Sequence, residues 1–184
     1  AWMALFGMIG AGLVGPNRPA IEQEFGPDHG QFGAGFAIIQ TLMAGAVLYW
    51  AARSRQFDSV KALSLSLAGQ AVGFAAICLS NSWIALVLGW SVIMAGLMLG
   101  SVCNSISAEI WQDNPARGVT LLHGFNGIGK VVGPLIAAAC LSLGWRMSFL
   151  AVGLINLLLF GGFLVYRRRH GSPVQSAPPH RPEP

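Results

Sequence analysis

Residues 83–107 read WIALVLGWSVIMAGLMLGSVCNSIS, a run of 25 positions without one charged side chain. At 1.5 Å per residue a helix over this run is about 37 Å long, more than the roughly 30 Å of hydrocarbon in a bilayer. It is apolar on nearly every face, whereas a helix lying on a soluble core needs a polar side. Polar punctuation bounds it: Asn81-Ser82 before, and a stretch from Ala108 to Arg117 with Glu109, Asp113 and Pro115 after. The reading is a membrane-spanning helix.

Five more runs of the same kind flank it, at about 1–20, 32–52, 61–80, 118–142 and 147–166. The expected fold is all-α, a polytopic membrane six-helix bundle over residues 1–169, with a Pro-rich disordered tail over 170–184. Composition agrees. Of 184 residues 54% are hydrophobic and 10% charged, against about 25% charged in soluble domains. So few charges cannot cover a water-facing surface, and lipid as solvent removes the need. Residues 21–31 are expected as a polar loop, 53–60 as a short charged loop, and Asn81-Ser82 and Gly144-Trp145-Arg146 as tight turns.

Charge sets the expected orientation. The second, fourth and last connections carry Arg53, Arg55, Lys61, Arg117, Arg167, Arg168 and Arg169, while the opposite side holds Arg18 and Arg146 beside Glu22, Glu24 and Asp28. The basic side reads as cytoplasmic, which puts both termini inside a plasma (cell inner) membrane. The bases form no stripe, so nucleic acid is not an expected partner. Cys78, Cys103 and Cys140 lie in apolar runs with no metal or disulfide spacing and read as small packing residues. Gly69-x-x-x-Gly73, Gly89, Gly96, Gly100 and Gly129-x-x-x-Gly133 let helix backbones approach closely.

Polar groups at membrane depth are expensive and therefore point to function. His123, Asn126 and Lys130 fall within about 60° of one another on a helix, in a stripe about 10 Å long. Lys130, near the middle of its run, is expected to face a water-filled cavity or an acidic partner, and to bind an anionic group or take part in proton coupling. Asn104 on the fourth span and Gln40 on the second join the expected solute or proton pathway. Gln70 and Asn156 are expected to hydrogen-bond between helices.

The stretch Leu121-Leu122-His123-Gly124-Phe125-Asn126-Gly127-Ile128-Gly129-Lys130-Val131-Val132-Gly133-Pro134 is similar to the His, paired-Gly and Gly-Pro segment of fucose/glucose-permease-like transporters. Gly15-Pro16-Asn17-Arg18-Pro19-Ala20-Ile21 with Glu24-Phe25-Gly26, and Gly144-Trp145-Arg146 with Phe149, also resemble elements of the major facilitator superfamily. With the order of spans, the chain resembles that family's N-terminal six-helix half. The resemblance implies a gating loop between spans two and three of the form Gly-x-x-x-Asp-Arg-x-Gly-Arg. Here Trp50-Ala51-Ala52-Arg53-Ser54-Arg55-Gln56-Phe57-Asp58 keeps Arg55 and has Ser54 where the Asp belongs. It also implies a second six-helix half across the solute site, either a missing C-terminal half or a homodimer mate.

Gly124 to Lys130 also fits the phosphate-loop spacing, but Val131 stands where Ser or Thr would ligate magnesium and no strand precedes it. No enzyme constellation and no cofactor are expected. The resulting expectation is secondary transport of a small polar solute, a sugar or organic anion, by alternating access with possible proton coupling. The alternative is a membrane scaffold or assembly factor on the same fold.

Overall fold

The structure, a computed structural model, describes residues 9–53, 59–99, 104, 107 and 111–170. Among these there is no strand. Residues 9–12 are helical and lead into α1 (Val14–Phe25), followed by α2 (His29–Arg53), α3 (Ser59–Cys78), α4 (Trp83–Leu99), α5 (Pro115–Ala139) and α6 (Trp145–His170), with a 3₁₀ turn at Leu141–Leu143. The chain folds as an all-helical membrane bundle.

The first connection is shorter than expected. Instead of a polar loop over 21–31, only residues 26–28 lie outside helix. Gly26 closes α1 in the left-handed region at φ 60°, and its N–H reaches Glu22 O at 2.9 Å, a conformation in which glycine has no Cβ penalty. Asp28 then starts α2. Its Oδ1 accepts from Gln31 N at 2.6 Å while Gln31 Oε1 accepts from Asp28 N at 3.2 Å. This is a reciprocal capping box. Asn114 caps α5 one way only, its Oδ1 accepting from Arg117 N at 3.1 Å with Pro115 in the first turn.

Helix α3 is central. It packs along α4 and α6, and α4 in turn packs on α2. Glycines make the first contact close. A Cβ at Gly73 would lie 2.5 Å from Ile93 Cγ1 and 2.8 Å from Gly89 O, and one at Gly96 would lie 3.0 Å from Ser66 O. Phe74, Ile77, Ile93, Phe149 and Val152 fill the centre, with Trp90 edge-on to Phe149 at 5.7 Å. Helix α5 sits apart and leans on α1. There Gly133 approaches so near that a Cβ would stand 2.6 Å from Ile9 O and 2.9 Å from Gly12 Cα.

The outer surface is apolar. Leu48, Leu79, Ile84 and Leu158 are each at least 70% exposed, and only lipid makes that surface tolerable. Three helical segments are long and apolar enough to cross a membrane: His29–Tyr49, Lys61–Cys78 and Trp145–Arg169. Trp83–Leu97 is equally apolar but shorter among the described residues. Helix α5 has the length, at 25 residues, but not the apolarity of those three. Its His, Asn, Lys and five glycines over 118–133 dilute it.

Candidate functional site

Helix α5 is sorted into three sectors. Gly118, Leu122, Gly129, Gly133 and Ala137 are its buried residues and include the seam with α1. Taking Leu122 as zero, Asn126, Lys130 and His123 point about 40°, 80° and 100° to one side, at 100° per residue. Leu121, Ile128 and Leu135 point about 100–140° to the other side. Both flanks are open, since His123, Lys130, Leu121, Ile128 and Leu135 are all exposed. Past the first turn, where Arg117 shares the second direction, one open flank is therefore polar and the other apolar.

The polar flank lies toward the middle of α5. Lys130 stands nine residues before Ala139 and fifteen after Pro115, or about 14 Å and 22 Å from the two ends of α5. Neither Lys130 nor His123 has an ion-pair or hydrogen-bond partner among the described residues. The acidic partner anticipated for Lys130 is not among them. Asn126 is half-buried, and its Oδ1 is enclosed without a partner, as is that of Asn104. Gln40 is exposed on α2, which packs on α4. Arg55 lies outside the described residues, as do Glu109 and the tail over 171–184.

Two polar assemblies tie the other helices together. In the first, Asn156 Nδ2 on α6 donates to Gln70 Oε1 on α3 at 3.0 Å, Gln70 Nε2 to Ser66 Oγ at 3.3 Å, and Ser66 Oγ to Gly96 O on α4 at 2.6 Å. This chain crosses three helices with all its side chains buried. Asn17 makes a similar link from α1, donating to Leu13 O and to Ser148 Oγ, each at 2.9 Å. The Gln70 and Asn156 links follow from their being single polar residues in apolar runs. Asn17 carries the same signal, hidden in the sequence by the nearby Pro16, Arg18 and Pro19.

The second assembly closes one end of the bundle. Arg146 forks onto Glu24, Nη2 to Oε1 at 2.6 Å and Nη1 to Oε2 at 2.8 Å. Trp145 Nε1 also donates to Glu24 Oε2 at 2.7 Å, and Arg146 Nη2 donates to Ser80 O at 2.8 Å. The guanidinium lies 4.6 Å from the Trp145 ring, which meets Phe25 edge-on at 6.0 Å. Four donations thus tie the first, third and fifth connections together. The Arg146 hydrogen bond holds the Glu24 carboxyl below its ordinary value against the opposing effect of burial, with further help from the Trp145 hydrogen bond and the Arg146 charge. Sequence alone marked Trp145 and Arg146 as a turn but did not pair them with Glu24, which is more than 120 positions away.

A groove of about 500 Å³ between α2 and α4, lined by Gln31, Gly35, Ile38, Trp83 and Leu88 among others, carries no charged side chain. The polar flank of α5 is the better candidate for binding a polar solute. No curated protein and no solved structure matches the chain. The family model described as Major Facilitator Superfamily matches it over residues 1–184. All-helical, multi-pass and of transporter type, the chain belongs to the Major Facilitator Superfamily.

Proposed function

We propose that this chain supplies one wall of the solute path of a secondary transporter, with Lys130, Asn126 and His123 on that wall. The observation that carries the reading is the sorting of α5: toward mid-helix its open surface is polar on one flank only, around a lysine with no partner among the described residues. A cation placed there among lipid tails is costly, and a water-filled path relieves that cost. The solute is a small polar molecule, a sugar or an organic anion. Lys130 suits a carboxylate, and the likeness of residues 121–134 to fucose/glucose-permease-like sequences suits a sugar. Asn126, half-buried on that flank, and Asn104 supply side-chain amides for solute hydroxyl groups. Gln40, on α2, belongs to this path only if α2 lines it further along.

Such a wall works by alternating access against a second six-helix half, either a C-terminal half or a homodimer mate, with proton coupling through His123 or Lys130. The basic connections face the cytoplasm of a plasma membrane, and Arg55 acts in the gating loop. The test is flux into proteoliposomes containing the chain together with its second half. A Lys130→Ala variant that inserts normally should lose about tenfold or more, as expected for losing a charge-assisted contact of about 1.5–3 kcal/mol. Unchanged flux for Lys130→Ala would remove the lysine from the path.

A further inference from the structure

Helices α3 and α6 run antiparallel in contact, and the Arg146–Ser80 hydrogen bond fixes their common level at one end. Distances along each helix follow from there. Lys61 is nineteen residues from Ser80, or about 28 Å, and Arg167, Arg168 and Arg169 are 21 to 23 residues from Arg146, or about 32–35 Å. With about 30 Å of hydrocarbon starting near the Arg146 level, these four bases reach the opposite headgroup layer together. Lys61, Arg168 and Arg169 are exposed. The two ion pairs among the described residues, Arg18–Glu22 and Arg146–Glu24, both belong to the other end. Tyr166 is 51% exposed just inside the arginines, where an amphipathic ring anchors at the membrane interface.

We infer that the α3–α6 end is a binding surface for phospholipids with net negative headgroups, held by Arg167, Arg168, Arg169 and Lys61. Charge complementarity selects this occupant. Four cations with no carboxylate partner among the described residues sit at the depth of lipid phosphate groups, and basic clusters just beyond a spanning helix attract anionic lipid. Three consecutive arginines sweep about 200° of the helix end, so they reach both the lipid facing α6 alone and the lipid at the α3–α6 seam. The inference holds whichever side of the membrane this end faces, and it does not depend on the solute path.

The test is native mass spectrometry of the full chain, purified in neutral detergent and incubated with equal amounts of phosphatidylglycerol and phosphatidylcholine. Wild type should retain phosphatidylglycerol over phosphatidylcholine by about fivefold or more, the scale expected when even one basic residue engages an anionic surface. The triple substitution Arg167→Gln, Arg168→Gln, Arg169→Gln should bring the ratio near one, and the corresponding triple Arg→Lys variant should restore most of it. Size-exclusion profiles matching wild type show that both variants are folded. Equal retention of both lipids by wild type, or an undiminished preference in the glutamine variant, would overturn the inference. So would loss of bound phosphatidylglycerol on adding millimolar inorganic phosphate, which would mark a free-phosphate site instead.

Discussion

Gln70 and Asn156, on helices α3 and α6, join amide to amide at 3.0 Å with both side chains buried. Each lies ten residues from the Ser80–Arg146 hydrogen bond, so the contact sits about 15 Å in, at the middle of the membrane-spanning length. Here water cannot compete, and the chain Asn156–Gln70–Ser66–Gly96 O substitutes for solvation across three helices.

Breaking that contact should be felt. Gln70→Leu leaves the Asn156 amide without its acceptor, and Asn156 Oδ1 already lacks a partner among the described residues. The expected cost is about 1–2 kcal/mol, the upper part of the range for interhelical hydrogen bonds in membranes. Thermal unfolding in detergent measures it. The Gln70→Leu, Asn156→Leu double variant should recover part of the loss, because no stranded amide remains.

The seam between residues 9–12 and α5 has no room. A Cβ at Gly133 would meet Ile9 O at 2.6 Å and Gly12 Cα at 2.9 Å, and backbone atoms cannot swing aside as a side chain can. Gly133→Val should destabilise by about 1–3 kcal/mol through overpacking. Gly124→Ala and Gly127→Ala, whose surroundings are empty within 4 Å, should be neutral or slightly stabilising in the helix. The three variants compared by thermal unfolding separate glycine as spacer from glycine as passenger.

The Glu24 clasp gives a defined pH dependence. Arg146, then Trp145, depress the Glu24 carboxyl below its ordinary value. A depressed carboxylate contributes stability that is fully present above its unfolded value, about 4.3, and is lost as pH falls through the folded value. Stability measured downward from about pH 5 should therefore fall in wild type and fall less in Glu24→Gln. The side chains of Glu24 and Arg146 are 38% and 33% exposed, so solvent screening keeps the effect modest. Identical pH profiles for the two proteins would show that the clasp does not couple to folding.

Much of the architecture was legible because membrane helices advertise themselves as long apolar runs, as the stretch that forms α4 does. The capping box Asp28-x-x-Gln31 was equally present in the sequence. Yet the surrounding Pro27, His29 and Gly30 made the stretch look like loop, and the first span was ended at about residue 20, although α1 runs to Phe25. Gln70 and Asn156 stood out singly, but only the fold pairs them. The Glu24–Arg146 fork was illegible in principle, since a contact between two chain-distant turn residues leaves no periodic trace. For the candidate site, helical geometry alone placed His123, Asn126 and Lys130 on one flank. What the structure adds is that α1 covers the neighbouring sector of α5 and leaves that flank open. Gln40 lies on another helix, α2, which packs on α4.

The central claim is that the polar flank of α5 faces water while its apolar flank faces lipid, and cysteine accessibility tests it most directly. In a background with Cys78, Cys103 and Cys140 replaced, single cysteines at His123, Asn126, Lys130, Leu121, Ile128 and Leu135 are treated in intact membranes with a charged, water-borne thiol reagent. The first three positions should be modified and the last three protected. Equal labelling of both flanks, or protection of position 130 alongside modification of position 128, would contradict the account.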